Sequence, residues 1–258
     1  MILQPFQVIG AFFRALPILL SPGLRLFILV PLLANIGLMA LLYMVAFSYF
    51  GELTNYLMSW LPNWLSFLNW LFYIGFSLLS GISLFYAFSV GVNIIAAPFN
   101  GILAEKVEAR LSGETVESEL NFRAICLLIS QSIVRELQKI LYFLPRFLLL
   151  FILSMIPVVN IIAPFLWLFF GAWVLAIQYM DYAFDNNQVS FSEMRLGLRQ
   201  KPVLCWSFGF IVMVLLPIPF VNFVVIPLAV VTSTILWCDS FKASYSTTDS
   251  LAQNLGNN

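Results

Sequence analysis

Charged side chains are missing from four long stretches of this chain, and this pattern constrains the fold more than any other feature. The stretches lie between Arg25 and Glu52, Glu52 and Glu105, Arg146 and Asp181, and Lys201 and Asp239. Each is longer than the roughly 20 apolar residues with which a helix crosses the hydrocarbon core of a bilayer. Only 9% of the residues are charged, whereas a soluble domain carries about 25%. The sequence therefore predicts an all-α integral membrane protein, with residues 1–258 forming a single membrane domain.

The first two stretches predict two long transmembrane helices, at about residues 24–50 and 65–110. The first contains one proline, Pro31, in its opening turns, where proline is best tolerated. The second follows a turn at residues 60–63, whose flanking tryptophans suit a membrane interface. This second helix is rich in glycine, serine and alanine. Such residues favour close helix packing, and lining a narrow polar path is the alternative interpretation.

The last two stretches are broken by prolines and predict two helical hairpins that partly penetrate the bilayer, at about 122–180 and 200–240. Each contains Pro-x-x-Asn followed by another proline, at 157–164 and at 219–227, which is a weak internal repeat. Amphipathic helices before the hairpins would lengthen their arms. Two ordinary kinked spans are the alternative. The hairpins put every lysine and arginine on one side of the membrane, as the positive-inside rule favours.

Both ends of the chain predict peripheral segments. Residues 1–22 predict a retained interfacial helix, because Arg14 interrupts the apolar run that a cleavable signal would need. Its lipid-facing side chains would be Phe6, Phe12, Phe13 and Leu16. Residues 246–258 are polar and predict a loose tail.

Several function classes lack their chemistry in this sequence. The chain has no histidine, no phosphate-binding Gly-x-x-x-x-Gly-Lys loop, and three widely spaced cysteines. We therefore predict no catalytic residue, no cofactor and no metal site. The 12 basic and 12 acidic residues give no net charge that would attract nucleic acid. The charge-free stretches also hold no carboxylate for a proton relay, which favours passive over coupled transport.

The segment from Ser21 to Arg25 is chemically suggestive, because it precedes the first long helix. Ser21 would cap that helix and Pro22 would occupy its first position. The backbone amides of Gly23, Leu24 and Arg25 would then be free donors for an anion, with the Arg25 guanidinium beside them. The alternative is a simple helix start whose arginine reaches the lipid headgroups.

Two further polar groups stand out. One group combines basic and acidic residues at helical spacing: Glu105, Glu108, Arg110, Arg135, Glu136 and Lys139. Surface ion pairs explain such a pattern, and charges lining a water-filled vestibule are the alternative. The other group is Asp181, Asp185, Asn186 and Asn187, which lacks the spacing of a calcium loop. We interpret it as a turn that closes the first hairpin.

Three motifs resemble those of a known family. They are Asn93-Ile-Ile-Ala-Ala-Pro-Phe-Asn-Gly-Ile-Leu-Ala-Glu105, Gln178-Tyr-Met-Asp-Tyr-Ala-Phe-Asp-Asn186 and Phe191-Ser-Glu-Met-Arg195. Together with Gly23-Leu-Arg25, they make the chain, from about residue 8 to 242, similar to the CysZ sulfate permeases. The resemblance departs at Leu26, where many relatives have a second basic residue. It also departs at Asn187 and Gln188, where relatives can be basic.

The resemblance implies a multi-pass protein of the bacterial inner membrane that passes sulfate inward for cysteine biosynthesis. It also implies a homo-oligomer. By resemblance, Gly23, Leu24 and Arg25 would bind sulfate, and Glu105 and Arg110 would belong to a polar network inside the pore. Sulfite and related oxyanions are alternative substrates. The alternatives to a passive permease are a coupled oxyanion transporter, a membrane scaffold or lipid-binding protein, and an intramembrane enzyme acting through Asp181 or Asp185.

Overall fold

The computed structural model describes residues 3–60, 69–114, 122–218 and 221–245, and these form helices and turns with no strand. The helices are α1 Gln4–Leu19, α2 Leu26–Ser59, α3 Asn69–Ser112, α4 Phe122–Ser154, α5 Ala163–Asn186, α6 Phe191–Gln200, α7 Pro202–Leu215 and α8 Asn222–Ser240. The all-α fold is therefore confirmed. Three described segments are long and apolar enough to cross a membrane: Ile36–Leu57, Ser132–Ser154 and Ala163–Asn186. A bent pair, α6 with α7, would make a fourth if it counted as one span.

The chain divides into two compact units. One unit, Leu29–Ala96, contains most of α2 and the first part of α3. Within it, the rings of Phe50 and Phe76 stack with centroids 5.4 Å apart. Most of the described side chains of the Ile36–Leu57 segment are exposed, with Thr54 as a buried exception, so its exposed apolar side chains are available to contact lipid. Helix α2 extends nine residues past the predicted end near residue 50, because no proline interrupts it there.

The second unit comprises Met1–Ile28 and Ala97–Asn258, and it contains both predicted helical breaks. Helix α4 ends at Ser154, a short 3₁₀ turn covers Val159–Ile161, and α5 begins at Ala163. The indole of Trp167 donates to the Ser154 hydroxyl at 3.0 Å across this turn. The second break separates α7 from α8, with residues 219 and 220 outside the described part. Whether these arms penetrate the bilayer or cross it stays a prediction.

The arms differ in length. Pro145 lies inside α4 without ending it, so the first arm belongs to a helix of 33 residues, about 50 Å long. Helix α7 has only 14 residues, about 21 Å, which is too short for a hydrocarbon core of about 30 Å. In α4, the amphipathic segment before the first break continues into the first arm as one helix, as the sequence suggested.

Helix α1 packs along α7 and α8. Four of its side chains on one face, Val8, Ala11, Ala15 and Leu19, are buried. The prediction that Phe12 faces lipid is wrong, because its ring stacks on Phe208 with centroids 5.8 Å apart. Phe6, Phe13 and Leu16 are exposed, as predicted. The apolar stripe of α1 is thus divided between a protein-facing side and an open side.

Helices α5 and α7 lie very close together at Gly209. A Cβ atom at this position would lie 1.9 Å from the carbonyl oxygen of Ala172. The two backbones therefore touch, and only glycine leaves room for this contact. The contact fixes α5 in the centre of the unit, where it also packs on α4, α6 and α8.

Candidate functional site

The segment from Ser21 to Arg25 forms a turn rather than the start of a helix. Gly23 has φ of +91°, a left-handed conformation that strains any residue with a Cβ. The amides of Leu24 and Arg25 donate to the Ser21 carbonyl at 3.2 and 3.3 Å. Two of the three donors that we expected to be free are therefore used within the turn. The Gly23 amide donates to no backbone oxygen in the described part of the chain.

Ser21 is not the cap that the sequence suggested. Its hydroxyl donates to the Ile18 carbonyl at 2.6 Å, and α2 begins only at Leu26. The reason is the backbone: the Ser21 carbonyl closes the turn, so the chain reaches helical geometry later than the Ser-Pro pair predicts. The turn keeps a fixed shape, with Gly23 at its left-handed position.

The side chains of this turn point to different environments. Leu24 is 5% exposed and belongs to the core cluster, whereas Gly23 and Arg25 are exposed. Arg110, near the end of α3, donates to the Ser21 hydroxyl. The structure thus brings one predicted pore residue, Arg110, to the predicted anion-binding turn. A second guanidinium lies at this turn although Leu26 is not basic.

Glu108, rather than Glu105, is the centre of a hydrogen-bonded network. One carboxylate oxygen accepts from the Trp237 indole at 3.1 Å and pairs with the Lys242 ammonium at 2.9 Å. The other accepts from the Asn187 amide at 2.7 Å. The hydrogen bond to Glu108 raises the pKa of Lys242 above its ordinary value. Glu105 is partly buried and forms no side-chain hydrogen bond or ion pair with another residue of the described ranges.

A second buried network joins α4 to α5. Asp181 is 2% exposed, accepts a hydrogen bond from Arg135 at 2.8 Å and forms an ion pair with Lys139 at 2.9 Å. Lys139 is equally buried and also pairs with Glu136 at 2.8 Å. Asp185 lies 3.6 Å from Arg135 at the edge. These charges therefore form a buried ionic network, which the interpretation as surface ion pairs did not include.

The two long family-like motifs contact each other. The Asn186 amide donates to the Gly101 carbonyl at 2.8 Å, and the Asn100 amide donates to the Tyr182 hydroxyl at 3.3 Å. Asp181 and Asp185 lie on the last turns of α5, whereas the turn itself begins at Asn187. Our interpretation of the whole group as a turn is therefore wrong for the two aspartates and for Asn186, which all lie in α5. The motifs hold the end of α3 against the end of α5.

The Ser21–Arg25 turn has the chemistry of an oxyanion site. Arg25 is exposed and forms no ion pair with any residue that the structure describes. Arg110 donates a hydrogen bond to the Ser21 hydroxyl, which is neutral. Both guanidinium groups keep donors in a planar fork that matches oxyanions. The contact between Arg110 and Ser21 was missed from sequence because 89 positions separate the two residues.

Comparisons with known proteins agree on one family. A model of the Sulfate transporter CysZ/Etoposide-induced protein 2.4 family matches residues 11–227. The sulfate transporter CysZ of Pseudomonas fluorescens is 46% identical over 87% of this chain and 90% of its own. The proteins of the same name from Vibrio atlanticus and Pectobacterium atrosepticum are 42% and 41% identical, over 92% and 90% of this chain and 94% and 84% of their own.

Proposed function

Because this chain belongs to the Sulfate transporter CysZ/Etoposide-induced protein 2.4 family, we propose that it is a sulfate permease of the bacterial inner membrane. It would pass sulfate inward for cysteine biosynthesis. The observation that carries the proposal is the similarity to proteins named sulfate transporter, which reaches 46% identity over 87% of the chain. The match to the family model, over residues 11–227, spans the Ser21–Arg25 turn and both long motifs.

The membrane arrangement in this proposal has two long spans and two partly penetrating hairpins. Its support is the pair of helical breaks, the short α7 and the exposed apolar side chains of α2. The exposed apolar surface suits lipid and also a second copy of the chain, so the protein would act as a homo-oligomer.

Sulfate binds at the Ser21–Arg25 turn in this proposal. The Gly23 amide, the Arg25 guanidinium and the Arg110 guanidinium supply the donors, and Leu24 anchors the turn in the core. Two guanidinium groups balance the two charges of sulfate, and charge-assisted hydrogen bonds replace part of its water. Sulfite is also an oxyanion with oxygen acceptors of the same kind, so it would compete at this site.

The pathway is proposed to be passive. Residues 147–180 and 202–238 contain no carboxylate, lysine or arginine that could serve as a proton relay. Asp181 is buried but already paired with two cations, so protonating it would break both ion pairs. Glu105, which is partly buried and unpaired within the described residues, is the polar residue proposed to line the route beyond the turn.

Flux of radiolabelled sulfate into proteoliposomes tests the function. Purified full-length protein should pass sulfate with no proton or sodium gradient, and adding either gradient should leave the initial rate unchanged. Liposomes without protein are the control. Flux that appears only with a gradient would replace the passive pathway with a coupled one. No flux under any condition would favour the scaffold or lipid-binding alternative.

A further inference from the structure

Three arginines gather around one tyrosine between α4 and α6. The Arg146 guanidinium lies 3.7 Å from the centroid of the Tyr142 ring and donates to the Tyr142 carbonyl. The Arg195 guanidinium lies 4.7 Å from the same centroid, and Arg199 lies close enough to the Tyr142 hydroxyl to interact with it electrostatically. The Trp173 indole donates to this hydroxyl, at 3.3 Å.

These arginines have no counter-charge in the described part of the protein. Arg14 pairs with Asp239 and Arg135 pairs with Asp181, but no described carboxylate lies within ion-pair distance of Arg146, Arg195 or Arg199. Three like charges held together repel one another. An anion bound among them would remove this cost.

A cavity of about 370 Å³ opens beside the cluster. It is lined by Arg146 and Arg199 together with aromatic side chains that include Phe169, Trp173 and Trp206. The Phe169 and Trp206 rings pack edge to face, with centroids 5.6 Å apart. One end of this cavity is therefore cationic and the rest is an aromatic wall.

The cluster also lies where charge gives way to apolar sequence in both hairpins. Residues 147–180 follow Arg146 without a charge, and residues 202–238 follow Lys201 without a charge. Arginine and tryptophan mark the level of lipid headgroups in membrane proteins. The cluster thus has the residues and the position of a headgroup site.

We propose that this cavity binds the phosphate of an acidic phospholipid such as phosphatidylglycerol. The arginines hold the phosphate, and an acyl chain follows the aromatic wall toward exposed apolar residues such as Phe147 and Phe165. A free oxyanion uses the arginines but gains nothing from the aromatic wall, which is why the lipid is favoured. This proposal does not depend on sulfate transport.

Native mass spectrometry of the purified full-length protein tests the site, with phosphatidylglycerol and phosphatidylcholine of identical chains as probes. Each arginine near a headgroup is worth about fivefold in affinity. The Arg146→Gln/Arg199→Gln variant should therefore bind phosphatidylglycerol roughly 25-fold more weakly than the wild type. Phosphatidylcholine binding should not change. Arg14→Gln removes a cation elsewhere and should bind both lipids as the wild type does.

Two further arms of the experiment distinguish a bound lipid from a bound free oxyanion and guard against misfolding. Arg199→Gln alone alters one exposed side chain and should weaken phosphatidylglycerol about fivefold, so the test survives if the double variant does not fold. Inorganic sulfate in excess should not displace the lipid. Displacement by sulfate would reassign the arginines to a free oxyanion and overturn the proposal. Unchanged phosphatidylglycerol binding in the arginine variants would also overturn it.

Discussion

Replacing Asp181 with asparagine should destabilise the protein strongly. Asp181 is 2% exposed, and its carboxylate neutralises Arg135 at 2.8 Å and Lys139 at 2.9 Å. Removing one partner of a buried ion pair typically costs about 3–5 kcal/mol, because the other charge stays buried. Lys139 would keep Glu136, and Arg135 would keep the Val189 carbonyl at 3.1 Å. We therefore expect Asp181→Asn to lower the free energy of unfolding by about 3 kcal/mol, at the lower end of this range.

The matched control is Asp185→Asn. Asp185 follows Asp181 by one helical turn and faces the same Arg135, but its side chain is 44% exposed and lies 3.6 Å away. An exposed pair contributes about 0–1 kcal/mol, so this variant should lose less than about 1 kcal/mol. The free energy of unfolding would be measured in mixed micelles with increasing sodium dodecyl sulfate, followed by circular dichroism.

A double-mutant cycle tests whether Asp181 and Lys139 are coupled. Lys139→Met removes one of the two cations that Asp181 neutralises. The Asp181→Asn/Lys139→Met variant therefore has no Lys139 ammonium left buried without Asp181. Its loss of unfolding free energy should be smaller than the sum of the losses in the two single variants by at least about 1 kcal/mol. Additive losses, or an Asp181→Asn variant no less stable than Asp185→Asn, would refute the buried network.

Two other predictions follow from packing and from titration. Gly209→Ala should lower the free energy of unfolding by about 1–3 kcal/mol, because the added Cβ would collide with the Ala172 carbonyl. The control is Gly171→Ala, whose Cβ would meet only the end of the flexible Met213 side chain. This control should lower the free energy of unfolding by less in the same assay. The raised pKa of Lys242, caused by its bond to Glu108, should add stability that is complete below about pH 10 and lost as the pH rises through the folded-state pKa. Lys242→Met should flatten this part of the pH–stability curve. An unchanged curve would contradict the ion pair between Lys242 and Glu108.

Charge-free runs and prolines in the sequence predicted an all-α fold and the proline breaks in the last two charge-free stretches. Both signals are local: a charge cannot enter a lipid-facing helix without cost, and a proline removes a helical hydrogen bond. Pro145 shows the limit of this reasoning, since it lies inside α4 without ending it. Proline breaks a helix only where the surrounding sequence does not favour continuation.

The side-chain contacts of the site could not be predicted in the same way. Trp237 reaches Glu108 across 129 positions, and Arg110 reaches Ser21 across 89. No spacing rule links residues so far apart. The sequence analysis assigned Phe12 to lipid because it treated α1 as an isolated helix. In the structure α1 packs on α7 and α8, and Phe12 contacts Phe208 of α7. The turn at Gly23 was predicted to be a helix start. Residue types do not reveal that the Ser21 carbonyl accepts hydrogen bonds from the Leu24 and Arg25 amides.

The most direct test of a sulfate pathway at the Ser21–Arg25 turn is passive sulfate flux into proteoliposomes for the wild type, Arg25→Ala, Arg110→Ala and the control Arg14→Ala. Each lost guanidinium contact should cost about 1.5–3 kcal/mol of anion binding, which is at least about a tenfold loss of flux at low sulfate. Arg14→Ala should match the wild type. Flux that is unchanged in Arg25→Ala and Arg110→Ala, with equal protein incorporated, would contradict the site.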